Sequence, residues 1–469
     1  MRIHLNAVIL LSGVGLAIPS HADWMEDIGF LELQVLLGAG TPDGSGVDVS
    51  LVEANTSTAP DFHYLPNASD PEFTSITITD QSGLSTAPSG HATSVGRLLF
   101  GNTSSIAPGV TQVDGFDAND WLNNTLFAGG SDPAIEGNAI QNHSWIGTTG
   151  SDATDEILLQ RLDHQIDRDG FVALAGLANG GAGALPNLLS NSYNSLAVGI
   201  TNGNHSAGTT SVNGPGRTKP DIVAPSTLTS HATAMTSSAA TLLTEAAGGF
   251  GSGADESETL RAAILAGATK TEFPSWSHTE SQPLDATFGA GELNVFNSYQ
   301  ILAGGDFDGS NDVPPGSAVP VSGWDYEAGF ADAGSSVRYY NFEVPTGFTA
   351  DEISIILTWN ARVTDANPSP LTFDPTTSLA NMDLDFFDST HSFLETELAA
   401  SRSTIDNVEH LHLTGLNEGT YTMRFVSNTD QAFALAWRME TVESAPEPAA
   451  ALLLGLGAGH CTLVRRRRS

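Results

Sequence analysis

Covalent hydrolysis by a protein side chain needs a nucleophile, a base to take its proton, a carboxylate to orient that base, and hydrogen-bond donors for the oxyanion. The only cysteine of this chain is Cys461, in the C-terminal tail. A Cys nucleophile, Cys-ligated zinc and a disulfide framework are therefore excluded from the body. Carboxylates are plentiful. Asp383, Asp385, Asp388 and Asp406 could cluster around a calcium ion, although polar residues on the open face of a strand account for them more cheaply. Spaced aspartates also run from Asp306 through Asp308 to Asp312, without the bidentate Glu of a complete EF-hand loop, and read as a solvated linker.

The elements that must position such groups follow from the pattern of apolar residues. From Glu26 to about Leu302, short apolar strands (Val47–Val52, Val172–Ala175, Ser195–Gly199) alternate with helical runs (Ala92–Phe100, Asp155–Gln165, Ser257–Leu265). That alternation predicts an α/β domain whose parallel sheet is covered on both faces, with its site at the carboxyl ends of the strands. After Gly304 the texture changes. Residues 305–323 read as a Pro- and Gly-rich linker. Residues 324–440 hold short strands separated by turns (Arg338–Val344, Glu352–Trp359, Met382–Phe387, His410–Leu413, Tyr421–Val426, Phe433–Trp437) and predict a β-sandwich.

The chemistry-bearing segments fall in an order that resembles the subtilisin-like serine peptidases (subtilases), in which Asp, His, Asn and Ser follow one another along the chain. Gly44-Ser45-Gly46 and the strand after it resemble the family's glycine turn and carboxylate strand, ending here in Glu53 instead of Asp. Gly90-His91-Ala92-Thr93 resembles the start of the helix that carries the base, with Ala107-Pro108-Gly109 beyond it. Asn142-His143-Ser144-Trp145 resembles the substrate-binding strand, and Gly176-Leu177-Ala178-Asn179-Gly180 the segment whose Asn donates to the oxyanion. Gly216 to Pro225 resembles the stretch before the family's nucleophile motif, Gly-Thr-Ser-Met-Ala-x-Pro. Matched to Ala232-Thr233-Ala234-Met235-Thr236-Ser237-Ser238, that motif has Ala234 where the serine belongs. The resemblance then implies a subtilisin-like three-layer domain followed by a jelly-roll-like sandwich. The site would be Glu53, His91, Asn179 and an absent nucleophile, with Ser144 on the substrate: a pseudopeptidase whose cleft could still hold an extended peptide. Ser237 or Ser230 would be the nucleophile if a displaced serine serves instead. No cofactor is implied for that chemistry; calcium could bind the sandwich aspartates.

The two ends read as addresses. Met1-Arg2, the apolar run Ala7–Ile18 and Ser20-His21-Ala22 form a signal peptide (1–22), leaving 23–304 as the peptidase-like domain. In the tail (441–469), Pro446-Glu447-Pro448, an apolar stretch and four arginines resemble the PEP-CTERM sorting signal. This implies transient membrane insertion of the tail, removal by an exosortase, and a secreted or cell-surface protein. A formal net charge of −37 speaks against nucleic acid or anionic lipid as partners.

Overall fold

The computed structural model describes residues 21–181, 183–329, 337–366 and 372–444. Most of the signal peptide and the sorting tail from Ala445 onward lie outside the described residues. Seven parallel strands form one sheet: β1 (Val49–Glu53), β2 (Thr77–Asp80), β3 (Gln112–Asp117), β4 (Ile140–His143), β5 (Val172–Gly176), β6 (Leu196–Ile200) and β7 (Ile222–Ala224). Their spatial order is β2-β3-β1-β4-β5-β6-β7. The chain thus places β2 at the edge and β3 between it and β1, then adds β4 to β7 on the other side, so the order reverses at β1. Ligand crevices in such sheets open beyond the carboxyl end of the reversal point, which here is Glu53.

Both faces of the sheet are covered, giving three layers. Val49, Leu51, Val172, Leu174, Val198 and Ile222 pack on the side of α1 (Gly90–Phe100) and α3 (Thr229–Ala247). Val52, Ala173 and Ala175 pack with Leu158, Leu162 and Ile166 of α2 (Asp152–Asp169). Central strands that meet helices on both sides must be apolar at successive positions, which is why β1, β5 and β6 read as continuous runs. Helix α3 is buried along most of its length despite its Thr- and Ser-rich sequence. Thr233, Thr236, Thr241 and Thr244 return their hydroxyls to the carbonyls four residues back, at 2.8–2.9 Å, so few polar atoms are stranded.

The C-terminal part is a sandwich of two four-stranded antiparallel sheets. One runs β8 (Ser322–Glu327), β15 (Phe433–Glu443), β10 (Phe348–Thr358), β13 (Val408–Leu416). The other runs β9 (Val337–Val344), β14 (Gly419–Ser427), β11 (Met382–Asp388), β12 (Thr396–Ser401). Phe342, Phe386, Phe425, Leu435 and Trp437 fill the space between them. The α/β domain followed by a β-sandwich is the arrangement expected from the sequence. The two parts share apolar surface. Helix α4 (Ser257–Gly267) is buried at every position. Trp324, Ile356, Val408, Ala434 and Ala436 of the sandwich belong to the same core as Leu260 and Ile264. The outer face of β10 is buried because α4 lies on it. Polar bonds knit the seam: Arg261 reaches Asn194 O, Trp359 O and Asn360 Oδ1, and Asn407 reaches Tyr193 O.

Candidate active site

Glu53 closes β1 and is 1% exposed. The turn before it is fixed by Glu245, whose Oε2 accepts the N–H groups of Asp43, Gly44 and Ser45. Gly44 sits at φ 84°, and a Cβ there would meet Ala107 and Thr241 at 3.0 Å. On the facing element, Ser89 caps α1 by accepting the N–H of Ala92, which sets His91 in the first helical turn. The two meet: His91 Nδ1 lies 2.7 Å from Glu53 Oε2. With Nδ1 held by the carboxylate, Nε2 is the nitrogen left for proton transfer. Burial lowers the proton affinity of His91, but the charge and hydrogen bond of Glu53 outweigh it, so the imidazole titrates above its ordinary value. Glu53 is pushed up by its burial and drawn back by His91. The longer Glu side chain therefore reaches the imidazole from the strand's end.

Asn179 lies in the loop after β5, half-buried. A bridge to His205 and the bond from Gly180 N to Asn204 O hold the loop. Its Oδ1 accepts both the N–H (2.8 Å) and the hydroxyl (3.1 Å) of Thr229, the first residue of α3. A backbone N–H can only donate, so the amide is oriented with Nδ2 as the free donor end. Ser144, after β4, donates its hydroxyl to Ser230 O at 2.9 Å and is 4% exposed. Its side chain thus clamps the start of α3 from the other side.

The expected nucleophile position, Ala234, and the alternative Ser230 fall on successive turns of α3. Ala234 lies in the second turn of α3, is 0% exposed and packs in the core with Met235 and Ala239. The residue in the first turn, between Asn179 and Ser144, is Ser230. It precedes Ala234 by four residues, about 6 Å along the helix axis. Its Oγ is enclosed and makes no hydrogen bond, whereas Ser237 Oγ is taken by Asn142 Oδ1 at 3.0 Å and is 0% exposed. A signal for this register was present. Set on Leu228-Thr229-Ser230-His231-Ala232-Thr233-Ala234, the motif keeps Thr, Ser and Ala and loses its Gly, Met and Pro; in the frame four residues on it keeps only Thr and Met.

His231 is the neighbour that the sequence did not single out. It stands where the motif has Met and bonds Ser94 Oγ at 2.7 Å, joining the first turns of α1 and α3. Burial, then the charge of His91, depress it to about 4, so it stays neutral beside the base. Next to this junction, Asn67, Ser89, Thr93, Ser94 and Arg97 line a cavity of about 430 Å³.

The four sandwich aspartates do not form a ligand set. Asp383 and Asp388 stand five residues apart on β11, about 16 Å along an extended strand. Asp385 is held between Arg402 and Arg424, Asp388 caps Thr390 N, and Asp406 is buried against Ser403. Among the described residues, the one carboxylate group within metal-sharing distance is Asp306, Asp308 and Asp325.

Solved structures match this chain at low identity. A serine protease of Aeromonas sobria is 15% identical over 85% of this chain and 88% of that one, with a TM-score of 0.40. A lanthipeptide protease is 14% identical over 61% and 96% (TM-score 0.43), and a cold adapted subtilisin-like serine proteinase 16% over 54% and 88% (TM-score 0.36). Likeness of this size assigns neither activity nor substrate. No family model and no curated protein matches the chain.

Proposed function

We propose that this chain is an exported serine endopeptidase of subtilisin-like type, with Ser230 as nucleophile, His91 as base, Glu53 as its orienting carboxylate and Asn179 as oxyanion donor. One observation carries the reading. The first turn of α3 presents Thr229-Ser230, with Asn179 bonded to the one and Ser144 to the other, beside the helix start that holds His91 against Glu53.

The steps follow from these positions. Ser230 Oγ attacks the scissile carbonyl carbon as its proton passes to His91 Nε2, and Glu53 stabilises the imidazolium. The oxyanion takes hydrogen bonds from Asn179 Nδ2 and from the N–H of Ser230, which has no acceptor within its helix. His91 then returns the proton to the leaving amine. Water, activated by the same imidazole, releases the acyl group and restores the serine. The signal peptide and the PEP-CTERM-like tail support export, with an exosortase as partner for the tail and a protein or peptide as substrate.

A second reading rests on the absent bond between Ser230 Oγ and His91: a cleft that holds peptides without cutting them. Casein hydrolysis by the whole chain beside Ser230→Ala and His91→Ala separates the two. Turnover that falls on the order of 10⁶-fold in kcat in either variant supports the peptidase. Equal, background rates in all three support the binding protein.

A further inference from the structure

The segment that joins the two parts of the molecule brings three carboxylates together outside the active site. Residues 305–307 run beside the start of β8, fixed by Phe307 N to Trp324 O (2.9 Å) and Trp324 N to Gly305 O (3.0 Å). This places one oxygen each of Asp306, Asp308 and Asp325 within 4.8 Å of one another. Asp306 and Asp308 are exposed, while Asp325 is 0% exposed. Its Oδ2 accepts Gly309 N at 3.0 Å and Tyr340 Oη at 2.5 Å. Its Oδ1 is buried with no donor at all. A fully buried carboxylate oxygen without a partner is costly, and a structure that keeps one needs a reason for it.

The charge of Arg338 acts on Asp325, but no donor bonds Asp325 Oδ1. Arg338 is committed to Glu327 through two bonds, at 2.8 and 2.9 Å, and to Asn311 Oδ1 at 2.7 Å. The cradle is also tightly built: a Cβ at Gly309 would lie 2.6 Å from the Tyr340 ring. We propose that Asp306, Asp308 and Asp325 hold a calcium ion, with Asp325 Oδ1 as its buried ligand, clasping the connecting segment to the first strand of the sandwich. Oxygens that share a calcium at about 2.4 Å stand no more than about 4.8 Å apart, and an all-oxygen donor set suits this cation.

The test uses the whole chain, stripped with chelator and titrated with calcium in a calorimeter, with thermal melting in parallel. The expected result is that Asp308→Asn, a change at an exposed side chain, removes one equivalent of bound calcium or weakens it at least tenfold. The calcium-dependent rise in melting temperature shrinks with it. Asp383→Asn, on a carboxylate elsewhere in the sandwich, leaves both unchanged. Calcium uptake and melting shift unaltered in Asp306→Asn and Asp308→Asn, or no saturable uptake by the unaltered chain, overturn the site.

Discussion

At the scale of single residues, the account turns on which side chain occupies the first turn of α3. Ala234 lies in apolar surroundings, so Ala234→Ser places a hydroxyl in the core and gains no activity. A loss of about 1–2 kcal/mol is expected in denaturant unfolding, with the hydrolysis rate unimproved. The Glu53–His91 pair makes a second prediction. The base must be neutral to work, and Glu53 holds its pKa above the ordinary value against the opposing effect of burial. Activity therefore rises with pH through that raised pKa and is lost below it. In Glu53→Gln the anion is gone and burial acts unopposed. The acid limb of kcat/KM then moves to lower pH while kcat falls on the order of 10⁴-fold. Glu53, His91 and Asn179 were legible from the sequence because each sits in a short motif with little freedom to slide. Which residue stands in the first turn of α3 was not, because Thr229-Ser230 and Thr233-Ala234 offer two frames. Only helix geometry shows that the first frame starts the helix and the second is buried in it.

At the scale of elements, each functional side chain is placed by the end of a strand or helix. Ser89 is the buried cap of α1, two residues before His91. Ser89→Ala is expected to cost about 1 kcal/mol in unfolding and to lower kcat with little change in KM, since the helix start that aims the imidazole loosens. The strands and helices themselves were readable, because apolar runs of strand length alternate with amphipathic ones. Two features were not. The outer face of β10 is buried by α4, and the stretch from Asp306 to Ala318 lies against the sandwich through bridges at Asp306, Ser310 and Ala318, although its composition reads as a solvated linker. Both depend on contacts between residues far apart in sequence, which local patterning does not encode.

At the scale of the molecule, the two parts share one apolar core. Their shared core means that residues 320–440 made alone would expose Trp324, Ile356, Ala434 and Ala436 and are expected to aggregate, as light scattering would show. Arg261→Met strips donors from Asn194, Trp359 and Asn360 at the seam, and a loss of about 3 kcal/mol is expected. A histidine group at the same seam contributes to the pH response. His278, His410 and His412 gather around Trp276, and burial depresses all three, His278 to about 4. Folded, they refuse protons that the unfolded chain takes up from about pH 6.5 downward. Their contribution to stability is therefore full above about pH 6.5 and is lost as pH drops toward 4. Melting temperatures recorded across that range check it, and His278→Gln should flatten the fall.

The central claim is that Ser230 is a nucleophile served by His91. The most direct measurement is labelling of the whole chain with a fluorophosphonate, followed by identification of the modified peptide. The account predicts one label, on Ser230, abolished in Ser230→Ala and in His91→Ala and still formed in Ala234→Ser. A chain that takes no label, or a label that appears only once serine is introduced at position 234, would contradict it.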